Sequence, residues 1–140
     1  MIYISNSEFQ TITFASKFSR NIKVGSVIAL IGNLGSGKTT FTKGFAKGLN
    51  ITDHIGSPTF KIVSEYEGQH FNLYHIDSYR LNSSNDFLKI GGEEFLNQET
   101  GVTLIEWADL IRDILPKNTI NITFSRLNQE NSRRIEIQDY

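Results

Sequence analysis

The sequence predicts an α/β protein of three layers, with a central mixed sheet flanked by helices on both faces. Two short apolar runs, at residues 27–31 and 102–105, are typical of buried parallel strands. Alternating apolar and polar residues in the middle and at the end of the chain indicate antiparallel hairpins beside this parallel core. The 140 residues contain no repeat and no linker, so we expect one domain over residues 1–140.

Composition limits the possible functions. Hydrophobic residues make up 39% of the chain, which is enough for one core, and the formal net charge of −1 provides no general basic field for nucleic acid. The absence of cysteine excludes disulfides, thiolate zinc sites and cysteine nucleophiles. No apolar run approaches the ~18 residues of a membrane span. The N-terminus carries no charged leader before an apolar segment, so we expect a cytoplasmic protein without a membrane partner.

The first elements are predicted to be a short edge strand and a helix. Residues 2–4 form the strand, and Ser5 with Glu8 has the Ser-x-x-Glu spacing of a capping box at a helix start. Helical spacing continues to about Arg20, which predicts an inward stripe made of Phe9, Ile12, Ala15 (or Ser16) and Phe18.

The strongest motif follows the first apolar strand. Residues 32–39 read GNLGSGKT, which matches the phosphate-binding pattern G-x-x-x-x-G-K-[ST]. Phe41, Phe45 and Leu49 then recur every four residues and predict a helix from Lys38 to about residue 48. In this strand–loop–helix setting the motif predicts a P-loop, with Lys38 reaching the β- and γ-phosphates and the Thr39 hydroxyl binding Mg²⁺.

The base bound by this loop is predicted by elimination. Asp53 and Gly56 have the D-x-x-G spacing of a GTPase switch, but this aspartate does not end an apolar strand. The Asn-Lys-x-Asp motif that reads guanine is also absent. Adenine is therefore the default, and the expected cofactors are ATP and Mg²⁺.

The rest of the chain supplies the other strands. Residues 60–66 and 71–75 alternate and predict a β-hairpin, and a short helix near Phe87 is stopped by glycines, with a further turn at residues 93–96. The buried strand at residues 102–105 is followed by a predicted helix over residues 108–115. Two alternating strands close the chain, joined by a turn at residues 128–132.

Two acids occupy strand ends, where ligands bind in open α/β sheets. Glu106 follows the apolar run at residues 102–105, and Asp77 follows the mixed run at residues 73–76. Either could hold the metal or orient the attacking water, and the sequence does not decide between them. Both acids could also have purely structural roles. Glu106 could be a solvated residue at a strand end, and Asp77 could cap a helix or pair with Arg80. His75 is interpreted as structural, because the three histidines lack metal-ligand spacing.

Three further positions allow more than one interpretation. Trp107 stacks on the base or packs against the core. Arg133 and Arg134, on the last strand, touch nucleotide, RNA or only solvent. Thr59 lies in a polar loop that resembles a switch segment, in which a threonine can sense the γ-phosphate.

Four motifs in order carry a family resemblance: GNLGSGKTT at residues 32–40, SPTF at 57–60, HIDSYRL at 75–81 and LIEW at 104–107. The chain resembles the bacterial TsaE (YjeE) family, the P-loop ATPase of tRNA threonylcarbamoyladenosine biosynthesis. The resemblance implies Mg²⁺-dependent ATP hydrolysis that is weak alone and stimulated by partners. Those partners are TsaB and TsaD, through which the protein would meet tRNA only indirectly.

The resemblance also implies roles for individual residues. Catalysis would use Lys38, Asp77 and Glu106, and the metal would be held by Thr39 and Glu106. Nucleotide contacts would come from Asn33, Leu34, Gly35, Ser36, Gly37, Lys38, Thr39, Thr40, Thr59, Trp107 and Arg134. Two positions depart from the family pattern: Asn33 stands where an acid is usual, and Ser78 stands where leucine is usual.

Two alternative functions are weighed against this one. A small-molecule kinase would need an acceptor site and usually an arginine-bearing lid, yet between Gly92 and Pro116 only Arg112 appears. A regulatory module that binds nucleotide without hydrolysing it is favoured only by Asn33. ATP hydrolysis therefore stays our main expectation.

Overall fold

Seven strands form one sheet in the computed structural model, which describes residues 1–56 and 62–138. The strands are β1 (Ile2–Ser5), β2 (Val27–Ile31), β3 (Val63–Tyr66), β4 (Asn72–Asp77), β5 (Gly101–Glu106), β6 (Ile120–Arg126) and β7 (Arg133–Gln138). Their order across the sheet is β1-β7-β6-β2-β5-β4-β3.

The sheet has the predicted parallel core with antiparallel additions. Strands β4, β5, β2 and β6 run parallel to one another. Strand β3 pairs antiparallel with β4, while β7 pairs antiparallel with both β6 and β1. The β3–β4 pairing confirms the predicted hairpin, although Phe60 and Lys61 of that prediction lie outside the described residues.

Helices cover both faces of the sheet and complete the predicted three layers. Helices α1 (Glu8–Ser19) and α2 (Lys38–Gly48) pack on one face, where Phe41 and Phe45 are fully buried against Ile28 and Leu30. The opposite face of β2 presents Val27 and Ala29 to helix α3 (Ser84–Lys89) and to two 3₁₀ segments, Gly92–Leu96 and Ala108–Ile114. Because β2 is buried on both faces, its sequence is apolar throughout. Among the described residues, no helix is long and apolar enough to cross a membrane.

The start of α1 differs from the prediction. Its N-cap is Ser7, whose Oγ accepts a hydrogen bond from the Gln10 backbone N–H at 3.1 Å, so the Ser5–Glu8 capping box is wrong. Ser5 instead ends β1, with its hydroxyl buried 2.6 Å from Thr11 Oγ1. Phe9 is 76% exposed rather than part of the inward stripe, and Phe14 packs against the core instead.

The helix predicted over residues 108–115 is also wrong in type. The segment Ala108–Ile114 is 3₁₀, and Ile111 (φ −126°, ψ 22°) interrupts it with non-helical backbone. Trp107 before it has left-handed backbone (φ 57°, ψ 37°), and Pro116 follows closely, so few residues are available for regular α-helical turns.

Candidate nucleotide-binding site

A cavity of about 560 Å³ opens at the edge of the sheet where the parallel strands end. This is the edge at which open α/β sheets bind ligands. The loop after β2, the first turn of α2, the ends of β4 and β5 and the start of β7 all contribute to it. The lining residues are Leu34, Gly35, Gly37, Lys38, Thr39, Thr40, Asp77, Tyr79, Glu106, Trp107 and Arg133.

The loop between β2 and α2 has a backbone that glycine alone adopts readily. Gly35 (φ +77°) and Gly37 (φ +108°) lie in the left-handed region. Gly37 caps α2 without a side-chain hydrogen bond to the first-turn amides, and no acid occupies that turn. Because these amides lack a side-chain acceptor, the start of α2 suits an anion such as phosphate.

Lys38 places its charge inside this cavity, although the residue is only 5% exposed. Its Nζ donates to the Gly32 carbonyl oxygen and lies 4.0 Å from the centroid of the Trp107 ring. Burial lowers the pKa of Lys38 below the ordinary lysine value, and the charges of Glu106 and Asp77 only partly oppose this effect. A phosphate bound beside the ammonium would stabilise its charged form.

Asp77 and Glu106 lie side by side because they are partners in the parallel register of β4 and β5. Both are buried, at 5% and 4% exposure. The Tyr79 backbone N–H donates to Asp77 Oδ1 at 2.9 Å, and Glu106 Oε2 lies 2.8 Å from His75 Nε2. The structure therefore brings together the two strand-end acids that the sequence singled out.

The oxygen donors in the cavity suit Mg²⁺. Glu106, Asp77 and the Thr39 hydroxyl all line it. Within residues 1–56 and 62–138, no group of three or more histidines, cysteines or acids could hold a metal alone. Mg²⁺ is usually bound through one or two carboxylates together with substrate phosphates, so the donor set fits a magnesium–nucleotide complex better than a free metal ion.

Trp107 lies at the cavity, not in the core. Its ring packs near Lys38 and Tyr79, with the Tyr79 ring centroid 5.0 Å away. Trp107 follows Glu106, the last residue of β5, and has a left-handed backbone, which is uncommon for a residue other than glycine. Its stacking on a base stays a prediction.

The two arginines of β7 have different environments because neighbouring strand residues face opposite sides of a sheet. Arg133 lines the cavity: its Nη2 donates to the Gly35 carbonyl at 3.3 Å, and its side chain would meet a Cβ at Gly37 at 3.7 Å. Arg134 Nη1 instead lies 2.7 Å from Glu136 Oε2, and Arg134 does not line the cavity. The structure thus places Arg133, and not the predicted Arg134, beside the P-loop.

Most, but not all, of the site residues predicted from the sequence line the cavity. The predicted residues that line the cavity are Leu34, Gly35, Gly37, Lys38, Thr39, Thr40, Asp77, Glu106 and Trp107. Asn33 and Ser36 belong to the loop but do not line the cavity; Asn33 is exposed and Ser36 is buried. Thr59 lies outside the described residues.

Sequence reasoning did not identify Tyr79 and His75 as site residues. Two signals pointed to them: both belong to the HIDSYRL motif at residues 75–81, and His75 precedes Asp77 by two residues, on the same face of β4.

Comparisons with known proteins find relatives over most of the chain. The family model described as threonylcarbamoyl adenosine biosynthesis protein TsaE matches residues 5–135. A Treponema pallidum protein named as a tRNA threonylcarbamoyladenosine biosynthesis protein TsaE is 40% identical over 96% of this chain and 97% of its own. A Bacillus subtilis protein of the same name is 47% identical over 74% of this chain, which spans just under two thirds (64%) of that relative.

A solved structure is similar to this chain in both fold and sequence. The crystal structure of Bacillus subtilis YdiB superposes with a TM-score of 0.82 at 37% identity, over 96% of this chain and 82% of that one. The fold and nearly the whole length of the chain therefore agree with these relatives, and the chain belongs to the TsaE family of threonylcarbamoyl adenosine biosynthesis proteins.

Proposed function

We propose that this protein is a Mg²⁺-dependent ATPase that binds the TsaB–TsaD complex and supports its turnover during synthesis of N6-threonylcarbamoyladenosine in tRNA. The observation that supports the ATPase best is the meeting of Lys38, Thr39 and Glu106 in one cavity beside the glycine loop. The volume of the cavity, about 560 Å³, is also within the range usual for small-molecule sites.

The proposed chemistry is transfer of the γ-phosphoryl group of ATP to water. Such reactions depend on positioning and on stabilising charge, not on covalent catalysis by the protein. Bound Mg²⁺ would neutralise charge on the phosphate oxygens, and Thr39 and Glu106 would hold it. Lys38 would contact the β- and γ-phosphates, while Asp77 and Glu106 are the two groups that could orient the water.

Two observations support the proposed partners: the family to which the chain belongs and the net charge of the sequence. The relatives carry names that assign them to tRNA threonylcarbamoyladenosine biosynthesis. The net charge of −1 does not favour direct tRNA binding, so we propose that tRNA is met through TsaB and TsaD, in the cytoplasm.

Calorimetry and phosphate release test this function together. We expect MgATP to give binding heat with the purified chain, slow phosphate release from the chain alone and faster release when TsaB and TsaD are added. Lys38→Ala should abolish this release while the circular dichroism spectrum is kept. Absence of binding heat, with or without the partners, would refute the proposal, and a stoichiometric phosphorylated acceptor would identify a kinase instead.

A further inference from the structure

His75 is a fully buried polar residue that contacts Glu106 on the proposed metal side of the cavity, and from the sequence it is interpreted as structural. We propose that His75 is a positioning residue that fixes the carboxylate of Glu106 in the orientation needed to hold Mg²⁺. This inference rests on the proposed MgATP function and adds to it a residue that does not itself touch the nucleotide or line the cavity.

The geometry joins the two side chains directly. His75 is fully buried, and its Nε2 lies 2.8 Å from Glu106 Oε2. In the parallel register His75 is opposite Leu104, and Asp77 is opposite Glu106. The imidazole therefore reaches the acid two pairs further along the strands, on the same face of the sheet. The hydrogen bond from His75 holds Oε2 of Glu106, and Oε1 is the other oxygen of the carboxylate. Glu106 also lines the cavity, where a carboxylate oxygen could hold Mg²⁺.

The hydrogen bond also assigns the imidazole tautomer. A Glu106 that holds Mg²⁺ is a carboxylate and only accepts hydrogen bonds, so the proposed role requires Nε2 of His75 to carry the proton that it donates. Nδ1 is buried without a partner among the described residues. Of the two ring nitrogens, Nε2 is therefore the one that the geometry assigns as the donor to Glu106.

Glu106 needs such a partner because of its neighbours. Asp77 lies opposite Glu106 on the adjacent strand. Both acids are almost inaccessible to water, which would otherwise screen the repulsion between their charges. Glutamate also has three side-chain torsions, so an unrestrained carboxylate would sample orientations that do not face the cavity. A donor on the side away from the cavity restricts those orientations, as outer partners of metal ligands commonly do.

Packing alone explains His75 less well. Its neighbours in register and along the strand, Leu104 and Leu73, are fully buried apolar residues. An aliphatic residue would fill such a position without burying ring nitrogens, whose desolvation is unfavourable. Among the described residues, the one hydrogen bond of the His75 side chain is the one to Glu106.

Two amide substitutions separate positioning from packing. In His75→Gln the side-chain amide can reach the place of Nε2, whereas in His75→Asn it reaches only the place of Nδ1. We expect His75→Asn to weaken Mg²⁺-dependent nucleotide binding and the Mg²⁺ dependence of hydrolysis by about 10- to 100-fold. His75→Gln should stay within a few-fold of the wild type, and ATP binding in EDTA should be similar in all three proteins.

A double-mutant cycle and a spectroscopic measurement complete the test. In a Glu106→Ala background, His75→Asn should have no further effect on Mg²⁺ dependence, because the carboxylate that His75 positions is absent. Long-range ¹H–¹⁵N spectra of the wild-type protein should show His75 protonated at Nε2, and this measurement requires no variant to fold.

Three results would overturn the inference. One is a folded His75→Asn protein with wild-type Mg²⁺ dependence. Another is equal losses in His75→Asn and His75→Gln that follow only their thermal stability. The third is a ring proton on Nδ1 alone. If the wild type bound no MgATP although the spectra showed the Nε2 proton, the proposed function would fail, and the positioning role with it, while the hydrogen bond itself would stand.

Discussion

The ammonium of Lys38 lies 4.0 Å from the centroid of the Trp107 ring, within the range of a cation–π contact. The same ammonium donates to the Gly32 carbonyl, so one cation joins the first glycine of the P-loop to the aromatic residue after β5. Trp107 is the only tryptophan of the chain. The position of the P-loop lysine is therefore coupled to the one residue that dominates the protein's fluorescence.

We expect MgATP to change the emission intensity or wavelength of Trp107 in a saturable way. Phosphate oxygens would attract Lys38 Nζ away from the ring and alter the polarity around the indole. A fluorescence titration measures this directly, and Lys38→Ala serves as the control that should not respond. Unchanged emission in a sample whose calorimetric titration shows binding would contradict the coupling.

Arg133→Ala should weaken ATP binding about 10-fold, which corresponds to about 1.4 kcal/mol. Its guanidinium lies beside the P-loop, where it bonds to the Gly35 carbonyl and lines the cavity. Arg134→Ala is the matched control, because it removes the same charge from the next residue, which is paired with Glu136. Calorimetry on both variants checks the difference; equal losses would show that only net charge matters.

The parts of the site that could be predicted from the sequence are those fixed by local backbone chemistry. The glycine loop, Lys38 and Thr39 follow from one contiguous motif, and Asp77 and Glu106 follow from the rule that acids at strand ends reach the ligand edge. The parallel core was predictable because β2 is apolar along its whole length and β5 has a short, mostly apolar run at residues 102–105.

The remaining features depend on register and tertiary packing. The register of β7 against β6 decides whether Arg133 or Arg134 faces the P-loop. A shift of that register by one residue would turn every side chain of β7 to the opposite face of the sheet. The capping residue is Ser7 and not Ser5, because pairing with β7 extends β1 through Ser5. His75 contacts Glu106 across 31 positions of sequence, a distance over which local patterns carry no information.

Glu106→Ala should lower the rate of ATP hydrolysis by about 100-fold or more, a typical effect of removing a positioned acid or base. The dissociation constant for ATP measured in EDTA should change less than the rate, because the P-loop and Lys38 remain. Steady-state phosphate release and calorimetry measure the two effects separately. Glu93→Ala, at an exposed position outside the cavity, controls for loss of a negative charge. A Glu106→Ala protein that turned over at the wild-type rate would transfer the role to Asp77.

Lys38→Met should abolish ATP binding and yet raise the free energy of unfolding, by about 0.5–2 kcal/mol. Burial lowers the pKa of Lys38, so the folded protein disfavours the charged form that the unfolded chain carries. Methionine has a similar length and no charge to bury. Urea unfolding of both proteins at neutral pH measures the difference.

The pH dependence of that difference has a definite sign. Between the lowered pKa of Lys38 in the folded state and its ordinary value of 10.5 in the unfolded state, the unfolded chain binds more protons. Wild-type stability therefore gains from this group as the pH rises through that window, and the advantage of Lys38→Met should narrow. A gap that widened with pH would show that Lys38 is stabilised, and not destabilised, by its surroundings.

Gly44→Ala should destabilise the fold by about 1–3 kcal/mol, the usual range for overpacking a core. In an exposed helix the same change would stabilise by about 1 kcal/mol, because alanine has the higher helix propensity. Gly44 lies where α2 meets α1, and a Cβ there would come within 2.5 Å of the Ile12 carbonyl oxygen and 2.7 Å of Ile12 Cα. The obstacle is backbone, which cannot rotate away as a side chain can.

Urea unfolding of Gly44→Ala against Lys43→Ala tests this contact. Lys43 is the adjacent, exposed position of α2, so its replacement should change the free energy of unfolding by less than about 0.5 kcal/mol. Because α2 begins at the P-loop, displacement of the helix by the new methyl group should also weaken ATP binding in Gly44→Ala. A Gly44→Ala protein more stable than the wild type would mean that the two helices separate easily, and that the P-loop does not depend on their close packing.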